Sequence, residues 1–130
     1  MLRTLKAPTR GVQVSQAARL TNLTPRAIRF YEEEGLIRST RGAAGQRLFD
    51  DAVLDRLIYI GEARGLGLSV RDVQELLEIG DTRGLDAQKA RLREGCERRL
   101  GELEEQRRQV EATITGLNRG DASSSLRMAG

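Results

Sequence analysis

Hydrophobic residues near the start of the chain recur at helical spacing in two short segments that a turn separates. The first segment predicts a helix over 16–21, with Ser15 placed as its N-cap. The second predicts a helix that opens at Thr24 and Pro25, because threonine is a good N-cap and proline suits the first helical position. Gly35 is expected to end this helix. Two short helices joined by so short a turn are typical of a helix-turn-helix.

The segment 36–49 has a different pattern, in which two apolar pairs flank a cationic, glycine-rich stretch. The apolar pairs occupy 36–37 and 48–49, and Gly42 and Gly45 lie between them. This pattern predicts a two-stranded hairpin, or wing, with both glycines in its loop.

Two longer amphipathic helices are predicted after the hairpin. One of the aspartates at 50–51 can cap the first of them, and a glycine-rich turn at 65–67 is expected to stop it. Ser69 and Asp72 have the spacing of a capping box with a shortened acid, and the helix that follows them should end at Gly80.

The sequence over 84–118 predicts one long helix of about 50 Å, at 1.5 Å per residue. Its apolar residues form a narrow stripe with alternating intervals of four and three, which is the spacing of a coiled-coil seam. Such a helix has nothing left in its own chain to pack against, so we expect a homodimer. The predicted dimerisation residues are Cys96, Leu100, Leu103, Val110, Ile114 and Leu117.

The predicted fold class is therefore mainly α, with a winged helix-turn-helix domain at 12–80 followed by the long dimerisation helix. The ends of the chain lack periodicity. Residues 1–11 predict a flexible basic arm, and Val12 and Val14 could form a very short strand after it. Residues 119–130 are rich in Gly, Ser and Asp and predict a disordered tail.

Composition argues against several classes of function. The chain has no His, which is the commonest general base and the commonest metal ligand. Its one Cys excludes an intramolecular disulfide and a multi-thiolate zinc site built from a single chain. Phosphate-binding glycine loops and a paired-carboxylate pocket are also missing, so we expect no enzyme activity, no metal site and no cofactor. The carboxylate run at 32–34 is predicted to be solvated surface.

Membrane segments are not predicted either. No apolar run approaches the roughly 18 residues of a membrane span, and the N-terminus lacks the apolar region of a secretory signal. We therefore expect a soluble cytoplasmic protein with no membrane partner.

Charge is distributed unevenly along the chain, whose formal net charge is +3. Residues 1–47 hold nine Lys or Arg and three acidic residues, whereas residues 48–130 hold thirteen and sixteen. All but two of the basic residues are Arg, whose guanidinium makes bidentate contacts to phosphate and to guanine. A genome biased toward Arg codons would explain that ratio equally well. The asymmetry is the better clue, and it favours a nucleic-acid-binding face in the first third.

The segment LTPRAIRFYEEEGLI at 23–37 resembles the recognition helix and first wing strand of the MerR family of bacterial transcription regulators. The resemblance continues through GQRLF at 45–49 and GLGLSVRDVQELL at 65–77, and a long helix follows as in the family. It covers roughly residues 12–79. It implies a sequence-specific regulator that binds double-stranded DNA as a homodimer, joined by an antiparallel coiled coil. Family members bind pseudo-palindromic promoter sites and distort the DNA for RNA polymerase.

An alternative is an architectural or recombination accessory protein, similar to an excisionase, that shares the winged fold without regulating a promoter. Such proteins are often shorter and lack the long dimerisation helix, which favours the regulator.

The second predicted helix carries the candidate base-reading residues. Arg26 and Arg29 are three residues apart, so they project from neighbouring positions and could reach base edges and phosphates in the major groove. Thr24 can offer its hydroxyl to a phosphate in addition to its capping bond. The resemblance implies a DNA-backbone contact for Tyr31, although its ring could instead pack against the wing. Phe30 has no polar group and is expected to pack.

The resemblance also implies phosphate contacts for Arg41 and Arg47 on the wing, and a further backbone contact for Arg64 near the end of the third helix. For Arg64 a solvated charge is the alternative. Gln46 and Phe49 stand where the family commonly has Tyr, so the exact contacts of the wing are open, although Arg47 is retained.

The small-molecule inducer, if there is one, is unknown from the sequence. The Cys ligands of metal-sensing members and the four-Cys cluster of redox-sensing members are missing, and 130 residues leave no room for a large drug-binding domain. Cys96 is predicted to be a small hydrophobe of the seam. The alternative is a thiol sensor, whose thiolate would be favoured by the neighbouring Arg93, Arg98 and Arg99.

Overall fold

The computed structural model describes residues 11–120, and these form five helices and one two-stranded antiparallel sheet. Apart from Gly11, the predicted basic arm lies outside the described residues, and so does the predicted tail beyond Gly120. In chain order the elements are α1 (Val14–Thr21), α2 (Pro25–Glu33), β1 (Thr40–Arg41), β2 (Arg47–Leu48), α3 (Asp51–Gly65), α4 (Val70–Arg83) and α5 (Leu85–Arg119).

Helices α1 and α2 form the predicted helix-turn-helix, but α1 starts earlier than expected. It begins at Val14, and its N-cap is Gln13, which makes no side-chain capping bond. The predictions of Ser15 as N-cap and of Val14 as a strand residue were therefore wrong. Val14 packs against the hydrophobic core as a helical residue, and this packing outweighs the capping preference of the serine. Asn22 ends α1 in the left-handed conformation, which makes the predicted turn.

The start of α2 is as predicted. The Thr24 hydroxyl accepts a hydrogen bond of 3.0 Å from the Ala27 N–H, and Pro25 occupies the first turn. The helix ends at Glu33, and Gly35 follows with a φ of 78°. That left-handed conformation favours glycine, which explains why the chain turns there.

The wing is the hairpin of β1 and β2, with the register Thr40–Leu48 and Arg41–Arg47. Gly42 and Gly45 lie in its loop, as predicted. The apolar pair 36–37 stops short of β1, and both side chains are buried in the core. Beyond the wing, Val12 pairs with Phe49 through two backbone hydrogen bonds of 2.8 and 2.9 Å, which form an isolated β-bridge in place of the predicted short strand.

Both capping predictions for the longer helices are confirmed. Asp50 accepts a hydrogen bond of 2.9 Å from the Val53 N–H at the start of α3, and Ser69 and Asp72 form a complete capping box on α4. Helix α4 does not end at Gly80, as predicted, but continues to Arg83. The residue after the helix is Gly84, whose φ of 92° favours glycine. This backbone conformation is not helical, so α4 ends there.

The hydrophobic core lies among α1, α2, α3 and α4 and takes in the N-terminal part of α5. Its largest fully buried side chains are Ile28, Phe49, Leu54, Leu57, Ile60, Leu68, Val73 and Leu76. None of the helices within residues 11–120 combines the length and the apolar character of a membrane span.

Helix α5 has two parts with different surroundings. Its first turns pack on α4: Leu92 contacts the core, and the Gln88 amide donates a hydrogen bond of 3.0 Å to the Leu76 carbonyl. The expectation that this helix has nothing in its own chain to pack against was therefore wrong for its N-terminal part. From Leu100 to Ala112 every residue is exposed. Arg119 still belongs to α5, so the predicted tail begins too early by at least this residue.

Candidate nucleic-acid interface

The solvent-facing side of α2 carries two free cations. Arg26 and Arg29 are both exposed, and neither has a hydrogen bond or an ion pair within residues 11–120. They lie three residues apart, so both project from one side of the helix. Thr24 is also exposed and lies two residues before Arg26 as the N-cap of the helix, although its hydroxyl oxygen already accepts the capping bond. The helix therefore presents positive charge at its N-terminal half.

The opposite side of α2 is buried. Ile28 is fully buried and Tyr31 is 7% exposed, and both side chains belong to the hydrophobic core. The Tyr31 ring therefore packs in the hydrophobic core, and its contact with the DNA backbone stays a prediction. Phe30 is 42% exposed, so the expectation that it packs holds only in part, through an edge-to-face contact with the Tyr31 ring. Successive residues of a helix are turned by about 100°, and with Ile28 and Tyr31 pointing inward Phe30 is turned toward solvent.

One carboxylate connects α2 to the wing. Glu32 accepts hydrogen bonds from the hydroxyl and the backbone N–H of Ser39, and its Oε1 lies 3.3 Å from Nη1 of Arg47. Oε1 is buried and accepts no hydrogen bond within the described part of the chain, so the nearby guanidinium is what balances its charge. The expectation of solvated surface was therefore wrong for Glu32.

The predicted wing arginines are exposed but not free. The Arg41 guanidinium donates a hydrogen bond of 2.9 Å to the Gly45 carbonyl across the hairpin loop, and Arg47 pairs with Glu32. Gln46 accepts a hydrogen bond of 3.0 Å from the Ala44 N–H, so it shapes the loop from within. Both arginines keep further N–H groups with which to meet a phosphate.

Arg64 lies on α3 and belongs neither to α2 nor to the wing. It is exposed on the last turn of α3, and its Nη1 donates a hydrogen bond of 2.8 Å to the Leu68 carbonyl. This bond holds the turn between α3 and α4, so a purely solvated charge is not what the structure shows.

Two exposed arginines of the cationic third were missed as individual candidates. Arg19 lies in the last turn of α1 and Arg38 lies between α2 and β1, and neither has a partner within residues 11–120. The charge count over 1–47 included them, but no motif singled them out.

The predicted dimerisation residues on α5 differ in their surroundings. The five aliphatic members are 43–58% exposed, and they are Leu100, Leu103, Val110, Ile114 and Leu117. Cys96 is half-buried, in the part of the helix that packs on its own domain. Five large apolar side chains left in water along one helix form a surface that typically packs against a partner.

Cys96 also affects a tyrosine of α3. Tyr59 is buried, and its hydroxyl has no hydrogen-bond partner within the described residues. Burial raises the pKa of the Tyr59 hydroxyl, and the negative charge of a Cys96 thiolate adds to the rise.

Helices α4 and α5 are joined by ion pairs around Asp72. This carboxylate pairs with Arg98 at 2.9 Å and with Arg91 at 3.8 Å, and Arg91 also pairs with Glu75 at 3.0 Å. Partial burial raises the pKa of Asp72, but the hydrogen bonds with Ser69 and the two guanidinium groups outweigh it and hold the pKa below its usual range. The start of α4 is thereby fixed to the long helix. Within residues 11–120 there is no cluster of three or more Cys, Asp or Glu that could hold a metal ion.

Protein-family models match almost the whole described chain. The model of the MerR HTH family regulatory protein matches residues 12–79, and a model described as MerR, DNA binding, matches residues 54–119.

Known relatives are bacterial regulators. The HTH-type transcriptional regulator HmrR of Rhizobium leguminosarum bv. viciae is 29% identical over 116 residues, which cover 85% of this chain and 89% of the relative. The regulator ZntR of Escherichia coli K12 is 31% identical over 106 residues, which cover 81% and 70% of the two chains. The regulator CueR of Vibrio cholerae is 34% identical over 109 residues, which cover 79% and 78%.

Solved structures share the fold. The transcription regulator PbrR691 from Ralstonia metallidurans CH34, solved with lead(II), has a TM-score of 0.67 at 22% identity and covers 91% of this chain and 92% of its own. HiNmlR, a MerR family regulator lacking the sensor domain and bound to promoter DNA, has a TM-score of 0.57 at 21% identity and covers 89% and 96%. The winged helix-turn-helix, the long helix and the family matches agree, and the chain belongs to the MerR family of DNA-binding transcription regulators.

Proposed function

We propose that the chain binds a pseudo-palindromic promoter site as a homodimer and distorts the DNA to control initiation by RNA polymerase. The observation that carries this proposal is the pair of exposed arginines on α2, Arg26 and Arg29, which no residue of the described chain neutralises. Unpaired guanidinium groups on one side of a recognition helix are suited to guanine edges and phosphates in the major groove.

Each residue on α2 has a distinct role in the proposal. Arg29 reads a base edge, and Arg26 contacts a base or a flanking phosphate. Thr24 fixes the start of the helix through its capping bond and turns its O–H toward a phosphate. Tyr31 acts mainly through its buried ring, which sets the orientation of α2 on the core.

The wing extends the same surface along the DNA backbone. Arg41 and Arg47 are exposed and cationic, and the Glu32 carboxylate holds the wing beside α2. In the proposal both arginines contact phosphates. Arg64 contacts the backbone from the α3–α4 turn, which its hydrogen bond to the Leu68 carbonyl keeps rigid.

The dimer is proposed to form through the exposed stripe of α5. Leu100, Leu103, Val110, Ile114 and Leu117 remain in water in the isolated chain, and a second copy of the helix would cover them. A two-fold dimer presents two α2 helices, so its site should have two inverted half-sites.

The known relatives support regulation rather than an accessory role in recombination. HmrR, ZntR and CueR are transcriptional regulators, and HiNmlR was solved on promoter DNA. Members of this family are generally not enzymes. A regulator that acts at promoters has RNA polymerase as its functional partner, and distortion of the central base pairs would supply part of its specificity.

The oligomeric state can be tested with one charged substitution and a matched control. Leu103→Glu places a charge in the stripe, whereas Ala112→Glu places the same charge at an exposed position off the stripe. Sedimentation velocity at micromolar concentration should show a dimer for the wild type and for Ala112→Glu, and a monomer for Leu103→Glu. A wild-type monomer, or a Leu103→Glu dimer of unchanged stability, would contradict the proposed interface.

A further inference from the structure

Phe30 is an exposed aromatic ring in the middle of α2, with two arginines toward the N-terminus of the helix and the exposed carboxylates Glu33 and Glu34 toward its C-terminus. It is 42% exposed, although the core lies on the other side of this nine-residue helix. Arg26 lies one turn before it and Arg29 directly precedes it, so the ring is bordered by two guanidinium groups without partners in the described chain. An apolar ring in such a position is not explained by packing within the chain.

The ring is also held in place. Its centroid lies 5.6 Å from that of the buried Tyr31 ring, with the planes at 61° in an edge-to-face arrangement. Tyr31 is fixed in the core, so Phe30 is oriented before any ligand arrives. A preoriented ring loses little conformational entropy on binding, which suits it to a specific contact rather than to a loose one.

The surroundings of Phe30 indicate what it contacts. The adjacent arginines attract a polyanion, and an apolar side chain beside them needs an apolar group on that polyanion. In the major groove of DNA only thymine offers one, its C5-methyl group, and phenylalanine is among the side chains that can pack against it. An unrelated protein partner would not need two guanidinium groups beside the ring that have no partner within residues 11–120.

We propose that Phe30 is a specificity-determining residue that packs against the C5-methyl group of one thymine in each half-site. This inference rests on the proposed function, because it requires α2 to lie in the major groove. Two kinds of contact from one side of α2 then distinguish one DNA sequence from another. Arg29 recognises a polar base edge, and Phe30 recognises a methyl group.

The test begins with duplexes selected from a random pool by the full-length wild-type protein. Each thymine of the selected half-site is replaced in turn by deoxyuridine, which removes only the C5-methyl group. Dissociation constants are measured by fluorescence anisotropy for the wild type, Phe30→Ala and Arg29→Ala. Leu66→Ala is the control, because Leu66 is an exposed apolar residue outside α2, at 52% exposure against 42% for Phe30. Circular dichroism confirms that each variant is folded.

For the wild type and for Leu66→Ala, deoxyuridine at one thymine should weaken binding about fourfold per half-site, which corresponds to one buried methyl group. For Phe30→Ala the same replacement should have no effect. Deoxyuridine removes only the methyl group. If its effect on the dissociation constant disappears in Phe30→Ala, the Phe30 ring is the group that contacts the methyl.

Other outcomes separate the inference from the proposed function. If Arg29→Ala loses site-specific binding but deoxyuridine affects the wild type and Phe30→Ala equally, the inference is overturned and the role of α2 stands. If the wild type tolerates deoxyuridine at every thymine, the inference is likewise overturned. If the pool yields no preferred sequence, or if neither Arg29→Ala nor Phe30→Ala weakens binding to it, both proposals fail.

Discussion

The carboxylate of Glu32 on α2 lies 3.3 Å from the guanidinium of Arg47 on β2 and also accepts hydrogen bonds from Ser39 between them. The recognition helix and the wing are thereby joined by a partly buried charge. In the proposed function, a rigid connection of this kind fixes the distance between the groups that read bases and those that contact phosphates before DNA is bound, which lowers the ordering cost of binding.

The Glu32–Ser39 contact should stabilise the folded domain measurably. Glu32→Gln and Ser39→Ala each remove part of a charge-assisted hydrogen bond, and a double-mutant cycle should give a coupling of about 1 kcal/mol. The measurement is urea unfolding followed by circular dichroism. Ser15→Ala serves as the control, because Ser15 is exposed and makes no capping bond in α1. Strictly additive effects of the two substitutions would show that the contact carries no energy of its own.

Arg29→Ala should weaken binding to the selected site by about 1–3 kcal/mol, because a bidentate contact to a base edge is lost. Its side chain has no partner within the described residues, so folding and dimerisation should be unchanged. Anisotropy titrations on selected and on random duplexes measure this difference. An equal loss on both would leave Arg29 with a phosphate contact only.

Acid should remove the contribution of Asp72 to stability. The folded state holds the pKa of this carboxyl below the value of about 3.9 expected for an unfolded chain, so its ionised form stabilises the fold. The contribution is complete above the unfolded pKa and is lost as the pH falls through the folded pKa.

The comparison of wild type with Asp72→Asn should show this directly. Asparagine retains the size of the side chain but not its charge, so the gap in unfolding free energy should be constant from pH 7 to 5. Below about pH 4 the gap should shrink. Urea titrations at pH 7, 5 and 3 provide the data. A gap of constant size down to pH 3 would contradict the stabilising role of the ionised carboxylate, which the Ser69 hydrogen bonds and then Arg98 and Arg91 favour.

Cys96 should behave as a packing residue. Cys96→Ser should lower stability by about 1–2 kcal/mol, because a hydroxyl is placed where a half-buried thiol lay, and Cys96→Ala should cost less. Neither change should alter a transcriptional response to oxidants, aldehydes or metals in a reporter strain. A response lost in Cys96→Ala while stability is unchanged would instead identify a sensing thiol.

Local signals in the sequence predicted most elements of the fold. The caps at Thr24, Asp50 and Ser69 are stereochemical requirements of a few neighbouring residues, and each is present. The start of α1 depended on the packing of Val14 against the core. The end of α4 depended on Gly84, the glycine that has a positive φ after this helix. Ser15 and Gly80 were plausible local signals, but the core and Gly84 decided the boundaries.

The candidate site was predictable as a set of residue types but not as an arrangement. The pattern could place Arg26 and Arg29 on one side of a helix because helical geometry is periodic. It could not show that Glu32 would be drawn out of solvent by Ser39 and Arg47, since that contact joins residues brought together by the hairpin. The exposure of Phe30 likewise follows from how α2 packs on the core.

The central claim, a homodimer that reads two inverted half-sites through α2, is tested most directly by the stoichiometry and symmetry of its selected DNA. Duplexes enriched from a random pool are sequenced, and the mass of the complex is measured by native mass spectrometry. The account predicts an inverted repeat bound by two chains, with affinity lost when either half-site is scrambled. A single unrepeated site bound by one chain, or equal affinity for scrambled DNA, would contradict it.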